Sequence, residues 1–590
     1  MVSGQWSVVS GNGQQTTDNG RHTEIGAIRK SWRGRIRVVL VYPNSYYVGM
    51  SNLGFQTAYL MFNSIESMVC ERAFLSENVG ESRIRTEESG RLLSDADIIA
   101  FSVSYENDYP NILAILKKAG IPLLSCDRDP VHPLVIAGGV ACFLNPEPIA
   151  PFIDCFLMGE AEALLPRFFA CFDELDISKR TGFFEKSRFL KHVTQNVPGA
   201  YVPEFYRTTY HKDGTIRSFE SLYGAPLQIE RVFLKDLSHI PTCSTLLTPD
   251  TTFRKTFLIE VGRGCPHGCR FCSAGYIYRP PRFRSFSVLE ECIRKGASLT
   301  DKIGLVGASV SDLPGLAELC RQARGENSNI RISFSSLRAD ALGPELVSEL
   351  KQSRIKTATI APDAGSERMR NVINKGITQA DILNAAEALV SEGIPNLKLY
   401  FMIGLPTETP DDIEAIVALC GQIKSVFLQS SRKRKRIGEI TVSLSSFVPK
   451  PFTPFQRVPM DDVRTLKRKI KQVKNGLKRV ANLRVRADIP RHAQIQALFS
   501  RGDRKVAEIL SLASDNRGNW AKTLKESPLN IDAYLNRERS PDEFLPWNFI
   551  AHGVRPAFLE REYKRAKEAR PSPPCPMESC NICGVCSVDG

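Results

Sequence analysis

The sequence predicts an α/β protein: an N-terminal doubly wound, Rossmann-like domain, a central partial (βα)6 barrel of the TIM type, and a mostly helical C-terminal domain with a cysteine-rich tail. Three observations predict it. Near-continuous apolar runs alternate with helical stretches, which is typical of parallel sheets covered on both faces. This alternation occurs twice, in residues 31–165 and in residues 251–450. Seven of the sixteen cysteines form two compact groups, one inside the second alternation and one at the end of the chain.

Length and composition indicate a protein of ordinary soluble type. With 590 residues, 42% of them hydrophobic, the chain is long enough for about three domains. No apolar run approaches the roughly 18 residues of a spanning helix, so we expect no membrane partner. Residues 1–30 are polar, which excludes a secretory signal and predicts a flexible tail. The cysteines scattered through apolar segments fit a reducing, cytoplasmic location.

The first alternation predicts the N-terminal domain, residues 31–165. Predicted strands cover 36–42, 97–104, 134–139 and 155–158, and predicted helices cover 53–65 and 111–119. A ligand of such a sheet lies over the carboxyl ends of the strands. The expected binding edge is therefore formed by the loops 43–54, 102–108 and 138–148. Residues 166–250 are less regular and are predicted to connect the two sheets.

The second alternation predicts the barrel, residues 251–450. Six strand-like runs alternate with helical stretches, at 257–261, 303–307, 330–334, 357–360, 397–402 and 440–444. In parallel barrels the chemistry lies at the carboxyl ends of the strands. Residues 451–570 are predicted to be mostly helical, and residues 571–590 form the cysteine-rich tail.

The first cysteine group follows the first predicted barrel strand. Its sequence, Cys265-Pro-His-Gly-Cys269-Arg-Phe-Cys272, has the spacing C-x3-C-x2-C. Three thiolates on one loop can hold three irons of a [4Fe-4S] cubane and leave the fourth iron open to a ligand. The alternative is a three-cysteine zinc site. It is disfavoured because zinc usually takes a fourth Cys or His at short range and His267 has no room to chelate inside the loop.

The second cysteine group closes the chain. Cys575, Cys580, Cys583 and Cys586 have the spacing C-x4-C-x2-C-x2-C and follow a Pro-rich segment predicted to be flexible. Four cysteines can complete a metal site, so a second [4Fe-4S] cluster and a structural zinc are both open. The dense run favours iron-sulfur, since it is closer to a ferredoxin than to the two separated knuckles of a zinc ribbon.

Basic residues are concentrated in two segments of this chain of net charge +14. Residues 432–436 are all Lys or Arg, and residues 461–486 carry ten Lys or Arg against two Asp. Within the latter, apolar residues recur at helical spacing: Val463, Leu466, Ile470, Val473, Leu477 and Val480. The pattern predicts a packed helix with a basic face. That face is either simply solvated or binds a polyanion such as RNA.

Five segments resemble a known family: 42–55, 137–148, 269–280, 361–368 and 447–455. They are similar to radical S-adenosylmethionine (SAM) proteins with an N-terminal cobalamin (B12)-binding-type domain, in a subgroup with a C-terminal cysteine cluster. The resemblance implies that Cys265, Cys269 and Cys272 ligate a [4Fe-4S] cluster. Its open iron would bind SAM, and cleavage would give methionine and a 5′-deoxyadenosyl radical. An external electron donor of the flavodoxin or ferredoxin type is implied as a partner.

The resemblance also implies residues that bind SAM. Phe271 would shield the cluster and face adenine, Ser309 would meet the methionine amino group, and Asp363 would lie near the ribose. Ser336 and Arg338 would reach the ribose hydroxyls and the carboxylate. Gly404 and Glu408 belong to the turn that would position adenine. For the polar residues, a capping role at a strand end is the alternative.

Cobalamin binding has incomplete support in the sequence. The motif of the resembled proteins is Asp-x-His-x-x-Gly, then Ser-x-Leu, then Gly-Gly. Ser102, Ser104, Gly138 and Gly139 match, but residues 44–49 contain no histidine to ligate cobalt. The domain therefore either holds the corrin without a protein ligand or is a retained fold that does not bind it.

Three functions follow from these expectations. The first is an enzyme whose radical abstracts hydrogen from an unactivated carbon, with cobalamin delivering a methyl group or assisting a rearrangement. Its substrate is unknown: RNA, a metabolite or a peptide. The second is methylthiolation of tRNA, disfavoured because Cys70, Cys126, Cys142 and Cys155 lack the spacing of a further cluster site. The third is a non-enzymatic iron-sulfur protein that binds nucleic acid or senses redox state.

Overall fold

The N-terminal region is built on one six-stranded sheet. The computed structural model describes residues 16–18, 22–76, 83–175, 177, 185–325, 329–335, 337–432, 437–577 and 580–586. The order across the sheet is Met68–Phe74, Ile36–Tyr42, Ile98–Ser102, Leu134–Gly138, Cys155–Leu157 and Ala200–Tyr201. All neighbouring pairs are parallel except the last. The chain order reverses beside Ile36–Tyr42, which makes the carboxyl end of this strand the expected ligand position.

The four strands predicted for this domain are present, and two further strands extend the sheet. Met68–Phe74 was not predicted because Glu71 and Arg72 interrupt its apolar run. Both side chains are nevertheless buried. Ala200–Tyr201 lies in the predicted connector, so the sheet continues beyond residue 165. The flanking helices are Leu53–Ser64, Tyr109–Ala119, Ala161–Glu174 and Lys186–Asn196. A hairpin of Tyr206–Tyr210 and Ile216–Ser221 follows.

The prediction of a flexible tail over residues 1–30 is wrong for residues 22–30. Glu24 is buried and pairs with the Arg72 guanidinium at 2.7 Å, and the amide nitrogen of Ile25 donates to the carbonyl of Leu247 at 2.9 Å. The Lys30 ammonium donates to the carbonyl of Asn63 at 2.7 Å. A buried charge needs a partner, so Glu24 ties this polar segment to the sheet. Residues 1–15 and 19–21 lie outside the described residues.

The six strands predicted for the barrel occur in the expected order, but they form two separate parallel sheets; this region is called the barrel below. The first sheet contains Phe257–Glu260, Lys302–Val306 and Arg331–Phe334. The second contains Thr357–Asp363, Asn396–Ile403, Ile440–Ser446 and Leu483–Ala487. The last strand is a seventh that was not predicted. The helices of this region are Phe286–Ala297, Leu316–Gly325, Pro344–Gln352, Glu367–Val372, Gln379–Ser391 and Pro410–Arg432.

The helix Pro410–Arg432 is long and apolar enough to cross a membrane by length and composition. In the structure it packs against the helices Gln379–Ser391 and Val463–Leu477. Its side chains Ile416 and Ile423 belong to the hydrophobic core. The apolar face of this helix is therefore covered by protein.

The C-terminal region contacts both the N-terminal region and the barrel. Its helices are Val463–Leu477, Pro490–Arg501, Val506–Asp515, Trp520–Glu526, Ile531–Leu535 and Pro556–Lys567. The Asn145 side chain donates to the carbonyl of Gly502 at 2.7 Å, and Arg504 pairs with buried Glu147 at 3.2 Å. The helix Pro556–Lys567 packs instead against Glu367–Val372 of the barrel. The C-terminal region thus packs against the N-terminal region and against the barrel.

Candidate functional site

The three clustered cysteines lie on a tight loop after the strand Phe257–Glu260. Gly264 has a φ of +85°, and a Cβ there would lie 2.6 Å from the carbonyl oxygen of Tyr278. A Cβ on Gly275 would lie 2.7 Å from the carbonyl oxygen of His267. Only glycine fits these close approaches. The glycines let the loop wrap back on itself.

A second segment of the barrel holds this loop in place. The carbonyl of Gly268 accepts hydrogen bonds from the Tyr276 hydroxyl and from the Asn374 side-chain amide, both at 3.1 Å. The amide nitrogen of Arg270 donates to the carbonyl of Ile373 at 2.9 Å. The position of the thiols is therefore fixed by contacts that do not require a metal.

The thiols of Cys265, Cys269 and Cys272 lie close enough to influence one another. Burial raises the pKa of all three, to about 12 for Cys269, where the Lys375 ammonium opposes the effect. Metal binding removes the thiol proton, so buried thiols beside a cation are suitable metal ligands. These residues fit an iron-sulfur cluster.

The loop offers three thiolates, which is the number that a [4Fe-4S] cluster with one open iron takes from the protein. Within the described part of the chain, the group of three metal-ligand atoms that lie within 4.8 Å of one another is Cys171, Glu174 and His192, and the loop thiols do not belong to it.

His267 and Ser309 are both engaged with Asp312. The Nε2 atom of His267 lies 2.8 Å from a carboxylate oxygen of Asp312. The Ser309 hydroxyl donates to the same carboxylate group. The Ser309 hydroxyl also lies within hydrogen-bonding distance of Cys265, where it moderates the rise in the pKa of that thiol caused by burial. Ser309 therefore lies beside the first thiol, and the His267 imidazole is paired with Asp312.

Two cations and a carboxylate complete the surroundings of the thiols. Lys375 pairs with Asp363 at 2.6 Å, and Arg338 pairs with Asp340 at 2.9 Å. The Arg338 guanidinium also donates to the carbonyl of Lys375 at 3.0 Å. Lys375 and Arg338 both favour the thiolate form of Cys269. The sequence analysis did not identify Lys375. Its sequence neighbour Asn374 bonds to the loop, but that contact is visible only in the structure. Ser336 lies outside the described residues.

The turn predicted to position adenine is stabilised by contacts of its own residues. Gly404 has a φ of +79°, and its amide nitrogen donates to the Glu408 carboxylate at 2.8 Å. The Lys469 ammonium contacts the same carboxylate at 2.7 Å. The Glu408 carboxylate therefore stabilises the turn. This is the capping role that the sequence left open as an alternative to binding SAM. Phe271 packs against the apolar cluster that contains Ala364, Met369 and Phe447.

A cavity of about 380 Å³ lies at the carboxyl end of the N-terminal sheet. The four predicted residues, Ser102, Ser104, Gly138 and Gly139, all line it. Gly139 has a φ of +105°, and a Cβ there would lie 2.4 Å from the carbonyl oxygen of Val103. The opposite wall includes Arg263 and Tyr278 of the barrel. The cavity thus reaches a residue two positions before the first thiol.

Paired charges form the wall of this cavity on the barrel side. Arg263 contacts Glu160 at 3.0 Å, Glu162 at 2.5 Å and Glu260 at 2.9 Å. Arg282 contacts Glu160 at 2.7 Å. Because Glu160 and Glu162 come from the N-terminal region, this buried network joins it to the barrel.

The cavity has the size and the mostly apolar lining of a small-molecule site. Its volume is within the range of small-molecule sites, about 300–1,000 Å³. Side chains such as Leu53, Phe62, Ile136 and Phe143 supply apolar surface, and the glycines admit close approach. Among the described residues that line it, none is a histidine.

The basic helix has the two faces that its sequence predicts. In Val463–Leu477 the side chains of Leu466, Ile470, Val473 and Leu477 are buried. Lys467, Lys471 and Lys474 are exposed, as is Lys478 at the end of the helix. The helix ends at Leu477, and Leu483–Ala487 of the same basic segment is a strand. Residues 433–436 lie outside the described residues.

The cysteine-rich tail is docked on the barrel. The carbonyl of Arg570 accepts a hydrogen bond from the Arg270 guanidinium at 2.8 Å, and the amide nitrogen of Ser572 donates to Asn374 Oδ1 at 2.7 Å. The prediction of a flexible Pro-rich tether is therefore wrong. The prolines favour an extended backbone, and these polar contacts fix its path.

Profiles of two protein families match this chain. The family described as "Radical SAM proteins, N-terminal" matches residues 54–203, and the family described as "Radical SAM superfamily" matches residues 259–420. An uncharacterized protein of Methanocaldococcus jannaschii is 31% identical over 510 residues, which is 85% of this chain and 96% of that protein.

More distant relatives cover smaller parts of the chain. An uncharacterized methyltransferase of Pyrococcus horikoshii is 22% identical over 50% of this chain and 59% of its own length. A tRNA-2-methylthio-N(6)-dimethylallyladenosine synthase of Pelobacter propionicus is 23% identical over 33% of this chain and 48% of its own length. Among solved structures, coproporphyrinogen III oxidase of Escherichia coli gives a TM-score of 0.29 at 13% identity, over 38% of this chain and 51% of that one.

The family matches coincide with the features built up above. The N-terminal family covers the sheet that carries the cavity, and the superfamily match contains the cysteine loop. The chain is therefore an enzyme of the radical SAM superfamily, a membership that implies a [4Fe-4S] cluster and S-adenosylmethionine.

Proposed function

We propose that this enzyme cleaves SAM at a [4Fe-4S] cluster on Cys265, Cys269 and Cys272 and uses the radical, together with cobalamin, to methylate or rearrange an unactivated carbon. One observation carries the proposal: the cavity and the thiol loop share a single backbone segment. Arg263 lines the cavity, and Cys265 is two residues further along the chain. A radical formed at the loop would therefore arise next to the cavity.

The side chains around the loop have distinct tasks in this proposal. Each thiolate would bind one iron, and the cluster would supply the electron that cleaves SAM. Lys375 and Arg338, which favour the thiolate form of Cys269, would stabilise the negative charge of the bound cluster. The Asp363 carboxylate, held by Lys375, would accept hydrogen bonds from the ribose hydroxyls. Ser309, beside Cys265, would bind the methionine part of SAM.

The cavity would hold the corrin over the carboxyl ends of the N-terminal strands. Ser102 and Ser104 would offer hydroxyls to it, and Gly138 and Gly139 would let it approach the backbone closely. Because no described lining residue is a histidine, the corrin would be held without a histidine ligand on cobalt. The alternative is that the cavity binds the substrate directly and the fold no longer takes corrin.

Methylthiolation of tRNA is the second candidate, favoured by the tRNA-modifying relatives. The N-terminal sheet argues against it. Cys70, Cys142 and Cys155 are buried and Cys126 is exposed, and their spacing in the sequence does not place three of them on one short loop. A non-enzymatic function is not proposed, since membership in the superfamily identifies an enzyme.

A cavity-filling variant tests the corrin assignment. A Cβ at Gly138 would have only the carbonyl oxygen of Leu157 within 4 Å, at 3.5 Å, so Gly138→Leu should fold and fill the cavity. We expect the reconstituted protein to retain cobalamin through desalting and Gly138→Leu to lose it, as followed by corrin absorbance. The control is Gly421→Leu, where the added side chain meets open space. Equal corrin retention in both variants, or none in the unmodified protein, would remove cobalamin from the proposal.

A further inference from the structure

We propose that Cys575, Cys580, Cys583 and Cys586 hold a second [4Fe-4S] cluster that passes electrons to the cluster loop. This inference rests on the proposed function, since it assigns the route by which the first cluster is reduced. The four thiols lie together in the structure. Cys575, Cys580 and Cys583 line one pocket, and the Cys586 thiol lies within hydrogen-bonding distance of Cys580.

The tail site is bonded directly to the loop of the first site. The amide nitrogen of Cys575 donates to the carbonyl of Pro266 at 2.7 Å. Pro266 is the residue after Cys265, so one hydrogen bond joins the backbones of a tail ligand and a loop ligand. Asn374 contacts both segments, through Gly268 at 3.1 Å and through Ser572 at 2.7 Å. The two thiol groups therefore share one scaffold.

A buried arginine lies between the two sites. The Arg279 guanidinium hydrogen-bonds the Cys583 sulfur and stacks over the rings of Tyr276 and Phe558, 5.1 and 5.2 Å from their centres. Tyr276 in turn donates to the carbonyl of Gly268 in the loop. A cluster held by four thiolates is negative, and reduction increases that charge. A buried cation at the tail therefore makes the reduced state attainable.

The sequence spacing of the tail cysteines favours iron-sulfur over zinc. Cys580, Cys583 and Cys586 follow one another as C-x2-C-x2-C, which is closer to a ferredoxin than to the two separated knuckles of a zinc ribbon. A cubane places each thiolate on a separate iron. Unlike zinc, it can carry an electron.

The outer side of the tail is open to a protein donor. Ile582 and Met577 are 49% and 46% exposed. Arg561 and Lys564, on the adjacent helix Pro556–Lys567, are exposed cations. An apolar patch beside basic residues suits a small acidic electron carrier of the flavodoxin or ferredoxin class. The carrier would give one electron to the tail cluster, which passes it to the loop cluster and returns to its oxidised state, with no bond or proton exchanged.

The experiment compares a double variant with a matched control. Cys580→Ser/Cys586→Ser changes two half-buried tail ligands, and Cys126→Ser changes an exposed cysteine outside both groups. We expect about eight irons per chain in the unmodified protein and in the control, and about four in the double variant. The EPR spectrum of the reduced unmodified protein should show magnetic interaction between two clusters, and this should vanish in the double variant.

Reduction of the loop cluster distinguishes a relay from a support. Dithionite is small enough to reach the loop directly, so it should reduce the loop cluster of the double variant at the unmodified rate. A flavodoxin or ferredoxin should reduce it far more slowly than in the control. About four irons and one zinc in the unmodified protein, or equal slowing with both reductants, would overturn the relay. Failure to form 5′-deoxyadenosine would instead refute the proposed function, because cluster reduction is measured without SAM.

Discussion

Lys375 shows what the sequence could and could not reveal at the scale of single residues. The spacing of Cys265, Cys269 and Cys272 predicts a metal-binding loop, because all three candidate ligands lie within eight residues. Lys375 is about a hundred residues away along the chain, and only folding brings it to Cys269. A buried lysine needs a negative partner, and Asp363 supplies one in the unliganded protein. The resemblance pointed to Asp363, but the sequence did not reveal that Lys375 is its partner.

Replacing Lys375 tests whether this cation supports the cluster. We expect Lys375→Met to slow reductive cleavage of SAM by about tenfold or more, because a positive charge facing Cys269 is removed and Asp363 loses its partner. Lys375→Arg should retain most of the activity. Lys351→Gln breaks an exposed ion pair with Glu392 and serves as the control. The measurement is 5′-deoxyadenosine per reconstituted cluster; an unchanged rate in Lys375→Met would exclude the role.

The basic segment 461–486 illustrates the scale of secondary-structure elements. The apolar stripe predicted the helix correctly, and Leu466, Ile470, Val473 and Leu477 pack inward. The sequence missed the strand Leu483–Ala487, because its half-buried residues alternate with Arg484 and Arg486 over only five positions and so continue the basic pattern of the helix. The strand was recognisable only by its pairing with Ile440–Ser446. Lys469 differs from the exposed lysines of this helix, because its ammonium contacts Glu408 and Asp461.

The salt dependence of RNA binding tests the basic face. If this face binds RNA, the association constant for single-stranded RNA should fall with rising salt, by about 0.7 log units per log unit of salt concentration for each phosphate contacted. Changing the exposed Lys467, Lys471, Lys474 and Lys478 to Gln should reduce that slope without loss of iron, because exposed charges contribute little to stability. Lys351→Gln is again the control. A flat salt response in the unmodified protein would indicate that the face is only solvated and would favour a metabolite or peptide substrate.

At the scale of the whole molecule, three regions distant in sequence meet at one loop. The N-terminal cavity reaches it through Arg263, the barrel fastens it through Asn374, and the C-terminal tail bonds to Pro266. The fold class and the two cysteine groups were predictable because strands and thiol ligands leave short-range patterns. The docking of the tail and the buried Glu24–Arg72 pair were not, since each depends on one long-range contact. The N-terminal cavity, the cysteine loop and the tail thus meet on the same part of the chain.

The most direct test of this account is the formation of 5′-deoxyadenosine from SAM by the anaerobically reconstituted full-length protein under dithionite. We predict formation by the unmodified protein and by Cys126→Ala, and its loss to background in Cys269→Ala, because that variant lacks one of the three thiolates that hold the cluster. Iron content and corrin retention should be recorded in the same samples. Equal 5′-deoxyadenosine from Cys269→Ala, or none from an unmodified protein with full iron content, would contradict the assignment of the loop.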